Sequence, residues 1–513
     1  MNKYKNLVEF RNKMYNVSFN KRKDAVMNLL DAISSYGHRC KSVVELSNSS
    51  YFARQYSSIT DAISDGLETI DWRKTMELVF KSVMPNVTQK RFLFFTDCTP
   101  QPRPYSKTLN DKTITYLPNP APGNKPICVG HQYSTLALSP QSETNDDWLV
   151  PLDVQRVTSN EKGQEVGMKQ ILDCIDSLSL TELVVTVGDS LYGTEKCRKT
   201  LLKKDNWTHV FRLNSTRNVY LKNNKNNTNG RKKVYGCKMK LNDPSTHTEP
   251  NEQTTINITT HKGKECVVTI SLWNDLIVRG SKDFKSYKHA FNVIRINVTD
   301  KKTSKDIFKR PLWLGIAGKR RNEISLADAY NYYTARYNIE KMFRFGKRNL
   351  LLNSFQTPEV KHEELWWRFG MLAYNQLYLS KEIVPLLPKP WERYLPKYKK
   401  TGNVKIATPS QTQRGMEYVL GKTGTPACAC VSRGKASGRK AGELQIKRDI
   451  KPIIFKTKKT GKKKNFLVSS ESGKTNNISQ PEKINSLLAL VNNELSKSNF
   501  SAQEFAKMIL DTS

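Results

Sequence analysis

The fold is decided by two stretches of sequence, RFLFFTD at residues 91–97 and TELVVTVGD at residues 181–189. Both are nearly continuous apolar runs that end in an aspartate, Asp97 in the first and Asp189 in the second. A strand that is apolar at successive positions is buried on both faces, which requires helices on each side of its sheet. The two stretches therefore predict central strands of an α/β protein. The Pro-rich sequence after Asp97 predicts that the first strand ends there.

Further strand and helix patterns surround these two runs. Residues 125–138, 148–155 and 208–213 predict three more strands. Residues 165–178 carry apolar side chains at helical spacing and predict a helix. The resulting order, β-β-β-α-β-α-β, is typical of an α/β sandwich. After the fifth strand, Asn-rich and alternating sequences predict a strand-rich insertion.

The two ends of the chain differ in character from this core. The N-terminal part has apolar residues at three- and four-residue spacing, which predicts helices. Between residues 431 and 464 there are thirteen Lys/Arg and two acidic residues, and the segment lacks apolar periodicity. It is interpreted as a flexible basic arm, either a solvated linker or a tail that contacts DNA. The predicted domains are a helical N-terminal domain (1–88), the first part of an α/β core (89–213), a β-rich insertion (214–310), the rest of the core (311–385) and a basic, partly flexible C-terminal region (386–513).

The composition indicates a polyanionic partner. The 513 residues include 84 Lys+Arg and 47 Asp+Glu, a formal net charge of +37. Such an excess attracts nucleic acid, with a membrane surface or the ribosome as alternatives. No apolar stretch approaches the roughly 20 residues of a membrane span, and the N-terminus lacks the apolar segment of a secretory signal. The nine scattered cysteines suggest reduced thiols, so we expect a cytoplasmic, nucleoid-associated protein.

One helix pattern carries most of the chemical information. Tyr333, Arg336, Glu340 and Lys347 lie in a single helix predicted over residues 325–350. At about 100° per residue, their offsets place all four on one narrow face. A face packed on a core should be apolar, whereas this one carries a carboxylate between two cations. A solvated face with ion pairs is the alternative, but only Arg336 and Glu340 have the i,i+4 spacing such pairs need.

The spacing Y-x2-R-x3-E-x6-K resembles the signature of bacterial insertion-sequence transposases of the DDE type, the Y-R-E-K subgroup (insertion-sequence family four and its relatives). The chain has the parts of that family in order: Asp97, Asp189, a β-rich insertion and Glu340. The sequence G-D-S-L-Y-G, which runs through Tyr192 and Gly193, is similar to the family pattern G-D-x-x-Y/F. The resemblance covers about residues 90–385, and the ends match only in general character.

The resemblance implies a metal-dependent enzyme whose RNase H-like core consists of residues 89–213 and 311–385. The helical domain of residues 1–88 is then expected to bind the DNA ends. The resemblance implies cleavage at transposon ends and strand transfer into target DNA by a cut-and-paste route, and the family also implies a DNA-hairpin intermediate. Asp97, Asp189 and Glu340 would hold two Mg²⁺ ions, with Mn²⁺ as a substitute, because Mg²⁺ prefers hard oxygen ligands. The implied partners are double-stranded DNA, as terminal inverted repeats and target, and a second copy of the chain.

The remaining residues of the motif would contact DNA. Arg336 and Lys347 supply cations for phosphates, Arg as a bidentate fork and Lys as a point charge. Tyr333 can hydrogen-bond a phosphate or stack on a base. The family also implies a Trp that stacks on a flipped-out base, and Trp313 lies about where the family places it. The alternative for Trp313 is a core residue at a strand end.

Other interpretations stay open at this point. Asp146, Asp147 and Asp153 are rivals for the position of Asp97, but they lie on a shorter and more polar strand. A host-adopted relative would bind DNA without transposing it. A structure-selective RNase H-like nuclease would share the carboxylates and cleave DNA without strand transfer.

Overall fold

The chain divides into two compact units, Met1–Lys456 and Thr457–Ser513, and the second lies outside the part that is described here. The computed structural model describes residues 3–84, 91–116, 127–140, 148–223, 234–260, 263–281, 284–385, 406–431, 440, 442–444 and 447–455.

Within the described residues the strands are β1 (Arg91–Pro102), β2 (Thr113–Tyr116), β3 (Ile127–Ser139), β4 (Val150–Val157), β5 (Leu183–Gly188), β6 (Trp207–Leu213), β7 (Asn218–Lys222), β8 (Tyr235–Lys240), β9 (Glu252–Thr259), β10 (Glu265–Leu276), β11 (Phe291–Asp300) and β12 (Leu312–Ala317). The α-helices are α1 (Lys5–Lys13), α2 (Lys23–Tyr36), α3 (Ser57–Asp61), α4 (Trp72–Val83), α5 (Gly163–Ser177), α6 (Glu195–Leu201), α7 (Leu326–Ala335), α8 (Tyr337–Asn349), α9 (Val360–Ser380) and α10 (Pro409–Thr423).

Ten of these strands form one mixed sheet in the order β2-β3-β1-β5-β6-β12-β11-β10-β9, with β4 paired to β3. Strand β3 is antiparallel to both β1 and β4, whereas β1, β5 and β6 are parallel. Strand β5 is buried at every position, as its continuous apolar sequence predicts. The protein is therefore a mixed α/β protein, and its large mixed sheet is compatible with an RNase H-like core.

The strand-rich part of the chain extends this same sheet. Strand β12 pairs antiparallel with β6 on one side and with β11 on the other, and β10 and β9 follow outward. Strands β7 and β8 form a separate two-stranded sheet. The bounds predicted for the insertion and for the other domains remain predictions.

Helices cover the sheet and complete the core. Helix α5 packs on β1, β3 and β4, and the long helix α9 lies between β4 and the helices α2 and α10. A buried ion pair of 2.6 Å between Arg11 and Asp31 joins α1 to α2. None of the described helices is long and apolar enough to cross a membrane.

The structure corrects two sequence predictions. Strand β1 does not end at Asp97 but continues to Pro102, because β3 remains its antiparallel partner up to the pair Pro102↔Gly130. Its parallel pairing with β5 ends earlier, so this part of β1 has one unpaired side, where prolines are tolerated. The single helix predicted over residues 325–350 is two helices, α7 and α8, with Arg336 in the turn between them.

Candidate catalytic site

Two carboxylates lie where the parallel strands of the sheet end. The last parallel pair between β1 and β5 is Phe95↔Val187, and that register, carried two residues further, sets Asp97 beside Asp189. Asp189 directly follows β5, and its Oδ1 accepts a hydrogen bond of 2.8 Å from the backbone N–H of Leu191. The two apolar runs therefore end at the same edge of the sheet.

The third carboxylate reaches this edge from α8 through Arg336. One guanidinium nitrogen of Arg336, Nη1, lies 2.9 Å from Asp97 Oδ2, and the other, Nη2, lies 3.2 Å from Glu340 Oε1. Burial disfavours the charge of Arg336, but the neighbouring carboxylates outweigh this effect and raise its pKa. Arg336 thus bridges an acid from the sheet and an acid from the helix.

The pKa of Asp97 reflects its burial and its charged neighbours. Burial is the largest cause that raises this pKa, which reaches about 6, and repulsion from Asp189 and Glu340 adds to it. The charge of Arg336 and the N–H of Cys98 act in the opposite direction. Asp97 therefore feels the charge of both other carboxylates, as expected for side chains gathered at one site.

The other two residues of the predicted helix face lie next to this cluster. The Tyr333 ring centroid is 5.9 Å from the guanidinium carbon of Arg336, within the range of a cation–π contact. Lys347 Nζ donates a hydrogen bond of 2.6 Å to the carbonyl of Pro100, and burial lowers the pKa of Lys347 to about 8. The face predicted on one helix is therefore assembled from α7, the turn and α8.

Trp313 does not touch the carboxylates. It lies on β12, only 1 % exposed, with its ring centroid 5.7 Å from that of Trp273 and 5.4 Å from that of His247. In the order β1-β5-β6-β12, Trp313 is three strands away from Asp97, a lateral separation of about 14 Å at the usual strand spacing. Its indole N–H is buried and has no hydrogen-bond partner among the described residues.

A cavity of about 450 Å³ opens beside Trp313. Three cations, Arg295, Lys309 and Arg310, line it together with the loop that follows β6. Strand β6 is parallel to β5, so this loop leaves the sheet at the same edge as Asp189. The cavity is therefore a cationic and partly aromatic recess on the carboxylate edge.

The rivals for the position of Asp97 have other surroundings. Asp153 lies on β4, on the far side of β3 from β1, and accepts hydrogen bonds from the side chains of Gln155 and Gln170. Asp146 and Asp147 lie outside the described residues. The described geometry thus brings Asp97, and not Asp153, to the other two acids.

Comparison with known proteins gives one result that bears on this site. Residues 15–269 match the family model of the DDE superfamily endonucleases. This match supports a DDE-type, transposase-like family. It covers just under half of the chain, and it includes Asp97 and Asp189 but ends before Glu340. It does not extend to the Y-R-E-K subgroup or to insertion-sequence family four. The search of curated proteins found no match.

DDE superfamily nucleases generally use divalent metals, so the donor set can be tested against that requirement. Asp97, Asp189 and Glu340 offer only carboxylate oxygens, the ligands that Mg²⁺ prefers. Arg336, however, bonds to two of these acids. In the part of the chain that the structure describes, no group of three His, Cys, Asp or Glu side chains is arranged to hold a metal ion. The chemistry of the donors fits Mg²⁺, and their present spacing is that of carboxylates paired with an arginine.

Sequence reasoning missed a second face of helix α8. Tyr337, Lys341, Arg344 and Arg348 recur at offsets of 4, 7 and 11, which places them on one stripe. Arg344 Nη2 lies 3.4 Å from the Tyr337 hydroxyl, and Lys341 Nζ lies 5.6 Å from the Tyr337 ring centroid. Arg344 and Arg348 are exposed and form no ion pair with a described residue. The sequence contains the information needed to predict this stripe, since its residues recur at helical spacing and none of them is acidic.

Proposed function

We propose that the protein is a DNA transposase that cleaves the ends of its element and transfers them into target DNA by a cut-and-paste route. The observation that supports this most directly is that Arg336 bridges Asp97 and Glu340 at the edge of the sheet where Asp189 also lies. An edge with three acids of this kind suits phosphodiester chemistry, because such chemistry needs hard oxygen ligands held on rigid elements.

The three acids would hold divalent metal, two Mg²⁺ ions or Mn²⁺ in their place. Bound metal supplies an activated nucleophile, water or a 3′-hydroxyl, and stabilises the leaving oxygen. Asp97 lies on β1 and Asp189 directly follows β5, so the central strands hold both side chains at the edge of the sheet. Glu340 belongs to α8, which Lys347 joins to β1 through the carbonyl of Pro100.

The cations of α8 would hold the DNA backbone beside the acids. Arg336 and Lys347 contribute charge within the site, and Tyr333 contributes a ring and a hydroxyl for a phosphate or a base. The stripe that contains Arg344 and Arg348 continues this charge along the exposed side of the helix. A net charge of +37 favours the same partner, double-stranded DNA as inverted repeats and target. Binding of two ends by a homodimer is part of the proposal by analogy with the family.

Trp313 and its cavity would serve the base next to the cleaved bond. The cavity is large enough for a nucleobase, and its cations suit the attached phosphate. A base that leaves the helix beside the cut is needed if the reaction passes through a hairpin. Because Trp313 is almost fully buried, only its cavity side is available for such a contact.

The proposal is tested by conservative replacement of each acid. Asp97→Asn, Asp189→Asn and Glu340→Gln should each abolish Mg²⁺-dependent cleavage of a DNA duplex that carries the element end, while DNA binding persists. Asp205→Asn is the matched control, because this acid is 71 % exposed and lies at the opposite edge of the sheet. Cleavage that survives all three replacements would contradict the assignment.

A strand-transfer assay separates transposase from nuclease. With a precut end and a supercoiled target, a transposase joins the 3′-hydroxyl to the target, whereas a structure-selective nuclease only cuts. A host-adopted relative would bind the end and do neither.

A further inference from the structure

Arg336 occupies an unusual position for a residue that is expected to bind DNA. Its guanidinium bonds to Asp97 at 2.9 Å and to Glu340 at 3.2 Å, and its side chain is only 18 % exposed. We propose that Arg336 is a latch, which keeps these two acids paired until a DNA phosphate takes over its guanidinium, so that binding of divalent metal is coupled to binding of DNA. This inference rests on the proposed function and adds an order of assembly to it.

The bonds of Asp97 explain why metal and Arg336 compete. Its Oδ1 accepts the backbone N–H of Cys98 at 2.8 Å, and its Oδ2 accepts Arg336. A metal ion at Oδ2 would have to share that oxygen with the guanidinium of Arg336, so the two cations compete for the same negative charge. A guanidinium that remained beside a divalent ion would also repel it, because like charges at such distances in a partly buried site are poorly screened.

The position of Arg336 in the chain allows it to leave. It is in the turn between α7 and α8, where its N–H bonds to the carbonyl of Tyr333 and its own carbonyl accepts the N–H of Ile339. These backbone bonds fix the turn without the side chain, so the guanidinium can change partners while both helices stay in place. The Tyr333 ring, whose centroid is 5.9 Å from the guanidinium carbon, can stabilise the cation by a cation–π contact when it leaves the acids.

A DNA phosphate is the partner that can release the latch. Guanidinium binds phosphate through two parallel hydrogen bonds, as it binds carboxylate. A phosphate placed for cleavage at the three acids would also lie within reach of Arg336. By linkage, DNA then raises the affinity for metal by the same factor by which metal raises the affinity for DNA.

Manganese binding to the full chain tests the latch without any measurement of activity. Mn²⁺ would be titrated into the wild type, Arg336→Met and Arg336→Lys, with free Mn²⁺ followed by electron paramagnetic resonance. Lys203→Met is the matched control, since it removes an equal charge from an exposed position at the opposite edge of the sheet. Each titration is done with and without a linear DNA duplex that carries the element end. Asp97→Asn with this duplex serves as the blank for Mn²⁺ that is bound by DNA alone. Circular dichroism melting checks that each variant is folded.

The latch predicts that Arg336→Met binds Mn²⁺ more tightly than the wild type without DNA, by roughly 5–150-fold, the usual range of coupling between two ligands. Addition of the duplex should raise the affinity of the wild type by a similar factor and leave that of Arg336→Met nearly unchanged. Arg336→Lys keeps the charge but cannot bridge both acids as the guanidinium does, so its Mn²⁺ affinity should lie between those of the wild type and Arg336→Met. Lys203→Met should behave like the wild type.

Two results would overturn the inference, and they differ in what they imply for the enzyme. In the first result, wild type and Arg336→Met bind Mn²⁺ equally well without DNA, and Asp97→Asn does not bind it. This would contradict the latch but support the carboxylate site. In the second result, none of these proteins binds more Mn²⁺ than the blank, with or without the duplex. This would contradict both the latch and the proposed metal site.

Discussion

Lys347 joins α8 to the outer part of β1 by a single hydrogen bond, 2.6 Å from its Nζ to the carbonyl of Pro100. Pro100 is three residues beyond Asp97, and Lys347 is seven residues beyond Glu340. The bond therefore fixes the helix to the strand close to two of the acids. Burial of this ammonium group lowers its pKa to about 8, so the same residue links the architecture of the site to pH.

This pKa predicts a loss of DNA affinity at alkaline pH. Lys347 is a cation below about pH 8 and becomes neutral above it, so its attraction for phosphate should fall as pH rises through that value. Arginine does not titrate in this range, and Lys347→Arg should keep its affinity. Fluorescence anisotropy with a labelled duplex between about pH 6.5 and 9.5 measures the difference. If the DNA affinities of the wild type and Lys347→Arg change with pH in the same way, the charge of Lys347 does not contribute to DNA binding.

Replacement of Asp97 by a neutral residue should stabilise the folded protein at neutral pH. Its pKa rises from 3.8 to about 6 on folding, chiefly through burial, so the folded state holds the proton more tightly than the unfolded state. The associated stability is present below about pH 4 and is lost as pH rises towards 6. Asp97→Asn avoids this loss and should be more stable than the wild type at pH 7.5, by roughly 1–3 kcal/mol.

Urea unfolding of both proteins in a chelator measures this difference. At pH 4 the gap should narrow, because the wild-type carboxyl is then protonated. A wild type that is the more stable protein at pH 7.5 would mean that the bond to Arg336 outweighs the cost of burial.

The sequence was sufficient for the parts of the fold that depend on local pattern. The apolar runs before Asp97 and Asp189 predicted two central strands, because burial on both faces leaves an unbroken apolar sequence. The break between α7 and α8 was not predictable in the same way. Residues 325–350 contain no proline, and the interruption coincides with Arg336, whose partner Asp97 is 239 residues away.

The cavity beside Trp313 was also beyond sequence reasoning. Its lining comes from the loop after β6, the segment after β8, β11 and the segment before β12, which are far apart in sequence and meet only in the folded protein. Pairing of strands distant in sequence is set by tertiary packing, and local propensity carries little information about it. Sequence spacing alone could place Trp313 in the family pattern but could not show that its ring is enclosed.

Enclosure of Trp313 predicts a strong effect on stability. Its ring packs against Trp273 and His247 and is only 1 % exposed, so Trp313→Ala should cost about 3–5 kcal/mol of unfolding free energy. Trp313→Phe keeps an aromatic ring and should cost less. Chemical denaturation measures both, and the role in base stacking is then read from strand transfer by the folded Phe variant. A loss below about 1 kcal/mol for the Ala variant would contradict the burial.

The cationic stripe on α8 predicts a specific change in salt dependence. Arg344 and Arg348 are exposed and without described ion pairs, so each can bind one phosphate. Log affinity falls as log salt concentration rises. Replacement of both arginines by Ala should make this fall shallower by about 2, since each phosphate contact that is lost reduces the steepness by about 1. Lys199 and Lys203 are the matched controls, since both are exposed, lie outside α8 and form no ion pair with a described residue. Equal changes of slope for the two double variants would mean that only net charge matters, whereas a change confined to the Arg344 and Arg348 pair would place the DNA backbone along α8.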